Sequence, residues 1–329
     1  MKKKKSIIGM AAVLSLSLLV FFTVPQEVSL AATADYPKKE ITIIVCFGPG
    51  GARDLLARGV GNTLKKYLGV PVVIQNMPGA GGARGLISLF NSRPDGYTIG
   101  IGTIADIISQ VLEKQDYDNK KFTYIGNVQH SGPVWFVKSD SPFRTLKDFK
   151  TYGKPVRHSA FTLTGNSPVA AMIVANREKF PLVLIGGYKS ASEGILAVIR
   201  GEAEFSSCAA SVALQFLRSG QLRPFLTLDQ KREPNFLDTP TIAEAGHADL
   251  GALATDYWVM ASPGVPKARS KILEDALMKT LKDPDFLKWT KNANVDLLPL
   301  SGAETAKKAL KLFGLVEQYK GDIERYIKQ

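Results

Sequence analysis

The chain has 329 residues, 45% hydrophobic and 22% charged, which is long enough for two domains and too apolar for a disordered segment. Its formal charge is +12, of which the first 34 residues supply four lysines and Glu27, a net +3, leaving +9 for the rest. The positive residues are spread out and not interleaved with aromatics, so nucleic acid is not an expected partner. Three scattered histidines, His130, His158 and His247, lack metal-ligand spacing, and no cofactor motif is present.

The chain opens on Lys2 to Lys5, followed by an apolar run from Ile7 to Val24 and small residues at Ser29-Leu30-Ala31 and Ala32-Thr33-Ala34. This pattern predicts an export signal over residues 1–34, cleaved near Ala31 or Ala34, and places the mature protein in a periplasmic or other extracytoplasmic space. The apolar run approaches the length of a membrane anchor, but the small-residue exit favours cleavage. No cysteine near that exit offers a lipid acceptor. Cys46 and Cys208 are the two cysteines, with no C-x-x-C. Export would permit a disulfide, yet the two fall in different halves of the chain, which predicts two buried thiols.

Ile41 to Phe47 is a short β-branched run suited to a strand buried on both faces. Gly48-Pro49-Gly50-Gly51 breaks it, and a helical pattern follows with Leu56, Val60, Leu64 and Tyr67 on one face. Val70 to Gln75 repeats the arrangement, ending in Asn76-Met77-Pro78-Gly79-Ala80-Gly81-Gly82-Ala83-Arg84-Gly85 before a second helix. Neither phosphate fingerprint, G-x-G-x-x-G or G-x-x-x-x-G-K-[ST], is matched. Two glycine turns after neighbouring strands would nevertheless share one sheet edge and present free N–H groups to an anion.

Tyr97 to Gly102 reads as a third strand with Thr103 at its end, and Val134 to Val137 as another. The polar Ser139-Asp140-Ser141-Pro142-Phe143 then predicts a crossing into a second α/β unit. Its strands are expected at Val156 to Ala160, Leu182 to Ile185, Ala203 to Ser207 and Arg223 to Leu228. Its loops, Thr162 to Pro168 and Gly186 to Ser192, are rich in hydroxyls and backbone donors. A second crossing follows Pro240 to Gly246, and Tyr257 to Ala261 is expected to rejoin the first sheet. Helical segments at Lys267–Leu281, Pro284–Asn294 and Ala303–Tyr326 close the chain. One domain interrupted by another implies two linkers, a hinge and a cleft. The boundaries predicted are 35–138 plus 256–329 for lobe 1 and 139–255 for lobe 2.

Six fragments in this order resemble one family. They are Tyr36-Pro37, Phe47 to Asp54, Asn76 to Gly82, Pro94-Asp95-Gly96-Tyr97-Thr98, Pro240 to Gly246 and Trp258 to Pro266. The mature chain is similar to the extracytoplasmic substrate-binding proteins of tripartite tricarboxylate transporters, the Bug-type receptors. The resemblance implies an α/β, two-lobed periplasmic-binding-protein-like fold, each lobe a mostly parallel sheet flanked by helices, closing on one small carboxylate. It implies ligand contacts at Phe47, Gly50, Gly51 and Asp54 in the first loop, Gly81 and Gly82 in the second, and Thr103 after the third strand. In the second lobe it implies Thr164, Gly165, Ser167 and Tyr188. Cys46 stands where a proline is usual, and Val169-Ala170 where a His-Leu pair often follows the serine turn. Arg53 and Arg84 occupy positions more often small or polar. Each is either a solvated loop arginine or a bidentate partner for a second carboxylate. Asp54 would repel a bound carboxylate, which favours a helix-capping role, although it could instead receive the ammonium of an amino acid.

The expected function is a receptor that captures a small mono-, di- or tricarboxylate, or an amino acid, and delivers it to membrane permease subunits. Two alternatives stay open at this level. One is a ligand sensor without transport. The other is an exported hydrolase or transferase using Cys46 or a loop serine as nucleophile, for which no histidine lies near either glycine loop in sequence.

Overall fold

A computed structural model describes residues 36–160, 162–188 and 190–328. The expected export signal lies outside the described residues. Among those residues no helix is long and apolar enough to cross a membrane.

In chain order the elements are β1 (Ile41–Val45), α1 (Ala52–Leu68), β2 (Val72–Asn76), α2 (Ala83–Phe90), β3 (Thr98–Thr103), α3 (Ile104–Leu112) and β4 (Thr123–Ser131). Next come β5 (Val134–Lys138), α4 (Leu146–Thr151), β6 (Val156–Ser159), α5 (Asn166–Glu178), β7 (Leu182–Ile185), α6 (Ala191–Ile199), β8 (Phe205–Cys208), α7 (Ala210–Arg218) and β9 (Leu222–Thr227). The chain ends with β10 (Thr255–Ala261), α8 (Lys267–Thr280), α9 (Pro284–Ala293), β11 (Leu297–Ser301), α10 (Gly302–Gln318) and α11 (Lys320–Ile327).

Two sheets result, with strand orders β11-β4-β10-β3-β1-β2 and β7-β6-β8-β5-β9. Both are mixed, with most strands in each running the same way. In the first sheet β1, β2 and β3 run parallel, while β10 and β11 run against their neighbours. In the second, β6, β7 and β8 are parallel and β5 opposes both β8 and β9. The antiparallel members are the strands next to the crossings and the carboxyl-terminal strand, which enter each sheet from the opposite direction.

β5 also moves the first boundary. Val134 to Lys138 was expected in the first lobe, with the crossing after it, but it pairs with β8 and β9 in the second sheet. The crossing is therefore Gly132-Pro133, and the polar Ser139–Phe143 stretch is a loop within the second lobe. An apolar run such as Val-Trp-Phe-Val suits a central position in either sheet, so only its pairing decides. β11 was not anticipated. It is a short edge strand containing Pro299, tolerated there because the outer side of an edge strand has no ladder partner and the register with β4 shifts between Leu297 and Leu300.

The second lobe is built around α5. Val169 to Ala175 are at most 1% exposed, which matches a helix that is apolar on every side. It packs against the second sheet, α3 and the terminal α11. Asn176 Nδ2 donates to Asp322 Oδ2 at 2.8 Å, and Arg177 Nε donates to the Tyr319 hydroxyl at 3.0 Å. The chain's last helix thus forms a third tie between the lobes, beyond the two crossings.

Candidate functional site

The parallel register sets Val45 opposite Asn76, so the loops leaving β1 and β2 lie side by side. Asn76 binds them together. Its Nδ2 donates to the Phe47 carbonyl at 3.0 Å and to Asp54 Oδ1 at 2.9 Å. In the second loop Gly82 has φ +101°, and a Cβ there would sit 3.2 Å from the Phe47 ring. The left-handed φ calls for glycine, and the ring makes the space beside it tight.

Asp54 is bound up within the protein. Oδ2 accepts the Gly50 N–H at 2.9 Å and Arg58 Nε at 2.9 Å, and Oδ1 accepts Arg58 Nη2 at 3.0 Å. The Arg58 pairing chiefly holds its carboxyl down at about 2. With both oxygens so occupied, Asp54 braces the two loops and has no oxygen left over for a ligand ammonium. The same bond uses the Gly50 N–H, so that donor is not offered to an anion either.

Arg53 turns inward. It is 7% exposed, and its Nη2 donates to Asp106 Oδ1 at 2.7 Å. Asp106 Oδ2 accepts the Thr103 N–H at 2.9 Å, which fixes the start of α3. Burial works against the Arg53 charge, but Asp106 outweighs it and the guanidinium is held charged. Its plane lies over Phe47, 4.7 Å from the ring centre. Arg53 Nη1 is buried without a hydrogen-bond partner among the described residues. Arg84, by contrast, is exposed beside Gly79. The two arginines of the gripping loops therefore differ in kind.

Between the sheets lies a cavity of about 440 Å³. The first lobe supplies Ala52, Thr255 and Tyr257 to its wall, and Pro133 stands at the crossing. The second lobe supplies Thr162, Gly165, Asn166, Ser167, Ala191, Ser207, Cys208, Ala209 and Val212, with Ala160 and Pro168. Among the described residues, no charged side chain is in this wall. Instead the first residues of four helices converge on it: Ala52 of α1, Asn166 and Ser167 of α5, Ala191 of α6, and Ala209 with Val212 of α7. Each helix start carries unsatisfied N–H groups and partial positive charge. All of these ends lie at the carboxyl edge of a parallel strand, where open α/β sheets hold ligands.

Of the residues expected at the site, Gly165 and Ser167 line this cavity. Thr164 is in the same turn, its hydroxyl 3.4 Å from that of Thr162. Phe47, Gly50, Gly51, Gly81, Gly82, Arg84 and Thr103 fall outside the wall, and so does Tyr188, which is half-buried and senses the charges of Glu202 and Arg200. Sequence reasoning missed Ala52, Asn166, Ser207, Thr255 and Tyr257. The run Ser206-Ser207-Cys208-Ala209-Ala210, small and hydroxyl-bearing after a strand, carries the same signal as the Thr162–Pro168 loop.

Both cysteines are unpaired; Cys46 is buried, whereas Cys208 is half-buried and lines the cavity rather than being wholly enclosed. Burial pushes both thiols up to about 12, leaving neither poised as a nucleophile.

The tripartite tricarboxylate transporter family receptor model, TctC, matches residues 56–311. A ligand-free TctC solute-binding protein from Polaromonas is similar in structure, with TM-score 0.76 and 21% identity over 88% of this chain and 99% of that one. MatC from Rhodopseudomonas palustris with bound malate gives 0.69 and 20% identity over 86% and 99%. An R. palustris protein with adipate gives 0.71 and 21% over 88% and 99%. The family match over most of the chain, joined to two α/β lobes around a cleft fringed by helix starts, means that this chain belongs to the TctC tripartite tricarboxylate transporter receptors and is a solute-binding receptor, not an enzyme.

Proposed function

We propose that the protein captures a small dicarboxylate outside the cytoplasm and hands it to membrane permease subunits. The observation that carries this reading is the convergence of four helix starts on a cavity that has no charged side chain among its described lining residues. An anion is stabilised there by backbone and hydroxyl donors, each charge-assisted bond contributing about 1.5–3 kcal/mol. A cation would find no counter-charge among the described residues of that wall. The cavity volume, about 440 Å³, falls within the usual range for small-molecule sites. Malate and adipate, the ligands of two similar proteins, are both dicarboxylates, which supports the same class here. An amino acid is disfavoured, since Asp54 is already committed to Arg58, Asn76 and Gly50.

Thermal-shift measurements on mature protein with succinate, malate, adipate, acetate and aspartate test this reading. A dicarboxylate at 100 times its dissociation constant should stabilise the protein by about 2.7 kcal/mol. No shift with any dicarboxylate would sink the proposal. Delivery is tested separately, by comparing uptake of the identified acid in cells with and without this receptor. Unchanged uptake would favour a sensing role.

A further inference from the structure

Two of the serines in the cavity wall are each backed by a buried aromatic nitrogen. Trp135 Nε1 donates to Ser167 Oγ at 2.8 Å, and His158 Nε2 lies 3.0 Å from Ser207 Oγ. Both rings are fully buried. An indole nitrogen can only donate, so Ser167 must accept from Trp135 and its own proton is left to point elsewhere. His158 has two tautomers. Its ring lies flat on Phe205, the centroids 4.2 Å apart and the planes 4° apart, and its Nδ1 has no hydrogen-bond partner among the described residues. A proton on Nδ1 would leave a buried N–H with no acceptor, the rarest kind of orphan. A proton on Nε2 uses the hydrogen in the bond to Ser207 and leaves only a bare lone pair. Burial also pushes His158 down to about 3, so the ring is neutral and carries one proton.

We infer that Trp135 and His158 are positioning residues that commit the hydroxyl protons of Ser167 and Ser207 to the cavity, making the second lobe a paired donor wall that selects ligand oxygens without using charge. The inference deepens the carboxylate reading and rests on it for the identity of the ligand. It assigns Ser207 as a specificity residue for anions bearing bare oxygens. A group that itself donates, such as an ammonium, would meet two outward-turned protons and only one remaining lone pair on each hydroxyl, a poorer fit than a bare oxygen.

The test has two arms. With selective ¹⁵N-histidine labelling, unliganded protein should show His158 with Nε2 protonated and Nδ1 bare, unchanged between pH 5 and pH 8. Binding of succinate, malate and adipate to Ser207→Ala should be weaker than to wild type by about 10- to 100-fold. Ser207→Thr, which keeps the hydroxyl, should recover most of the loss. A proton on Nδ1 would overturn the donor assignment, and so would undiminished affinity of Ser207→Ala for an acid that wild type binds. If wild type binds none of these acids, the dicarboxylate reading falls, while the tautomer still decides how Ser207 is oriented.

Discussion

His130 Nε2 sits 2.8 Å from Asp229 Oδ2 and ties the end of β4 to the chain leaving β9. Its Nδ1 meets Asp256 Oδ1 at 2.9 Å, and Lys308 pairs with the other oxygen of that carboxylate. Both crossings between the lobes therefore pass through one charge cluster. Burial works against a charged imidazole, but the two carboxylates outweigh it and raise His130 to about 9. The folded chain binds this proton more tightly than the unfolded chain, where histidine titrates near about 6.5. The resulting stabilisation, on the order of 3 kcal/mol, is complete below about pH 6.5 and is lost as pH rises through about 9. Urea unfolding of wild type should weaken across that window, and His130→Gln should show a flatter profile. Parallel falls in both proteins would remove the clasp.

Asp54 links the two glycine loops and should be needed for their placement. Asp54→Ala removes acceptors from Gly50, Asn76 and Arg58 at once, and is expected to destabilise by about 1–3 kcal/mol. Because the folded carboxyl is held down at about 2, its contribution is present above about pH 4 and fades as pH falls through about 2. Amide exchange at Gly50 reports the loop directly. Unchanged protection of that amide in Asp54→Ala would show that the brace is not what orders the turn.

Arg53 and Arg84 should separate cleanly. Truncating Arg53 leaves Asp106 buried beside an empty space, and breaking a buried pair in this way costs about 3–5 kcal/mol. Arg84→Ala, at an exposed position, should stay within about 0.5 kcal/mol of wild type. Replacing the pair together, with Arg53→Met and Asp106→Asn, should recover part of the loss. Urea midpoints of the four proteins decide the matter, and equal losses for the two single arginine variants would contradict the burial argument.

How far the sequence speaks depends on the range of the interaction. The adjacent glycine turns were legible, since an apolar strand, a glycine break and a helical repeat are each written within about a dozen residues. The partner of Arg53 was not, because Asp106 lies 53 residues further on and only the β1–β3 pairing brings it near. Ser207 carries the local signal of a hydroxyl after a strand, but its backing ring does not show in the same way: His158 stands 49 residues away on a neighbouring strand. The misplaced crossing has a different cause. A polar, proline-containing connector signals a loop, but composition does not say whether that loop joins two lobes or two elements of one.

Cys208 offers a direct probe of where the ligand sits. It lines the cavity, while Cys46 is buried behind the first glycine loop. With both thiols raised to about 12, roughly one molecule in 10⁴ carries a thiolate at about pH 8, so alkylation by iodoacetamide should be slow at either site. Raising the pH should speed Cys208 more than Cys46, because reagent reaches it through the cleft. A bound dicarboxylate should then protect Cys208 and leave Cys46 unaffected, as read by mass spectrometry of each cysteine-containing peptide. Should the rate at Cys208 stay the same at saturating ligand, the anion must bind elsewhere, most plainly on the glycine loops outside this wall.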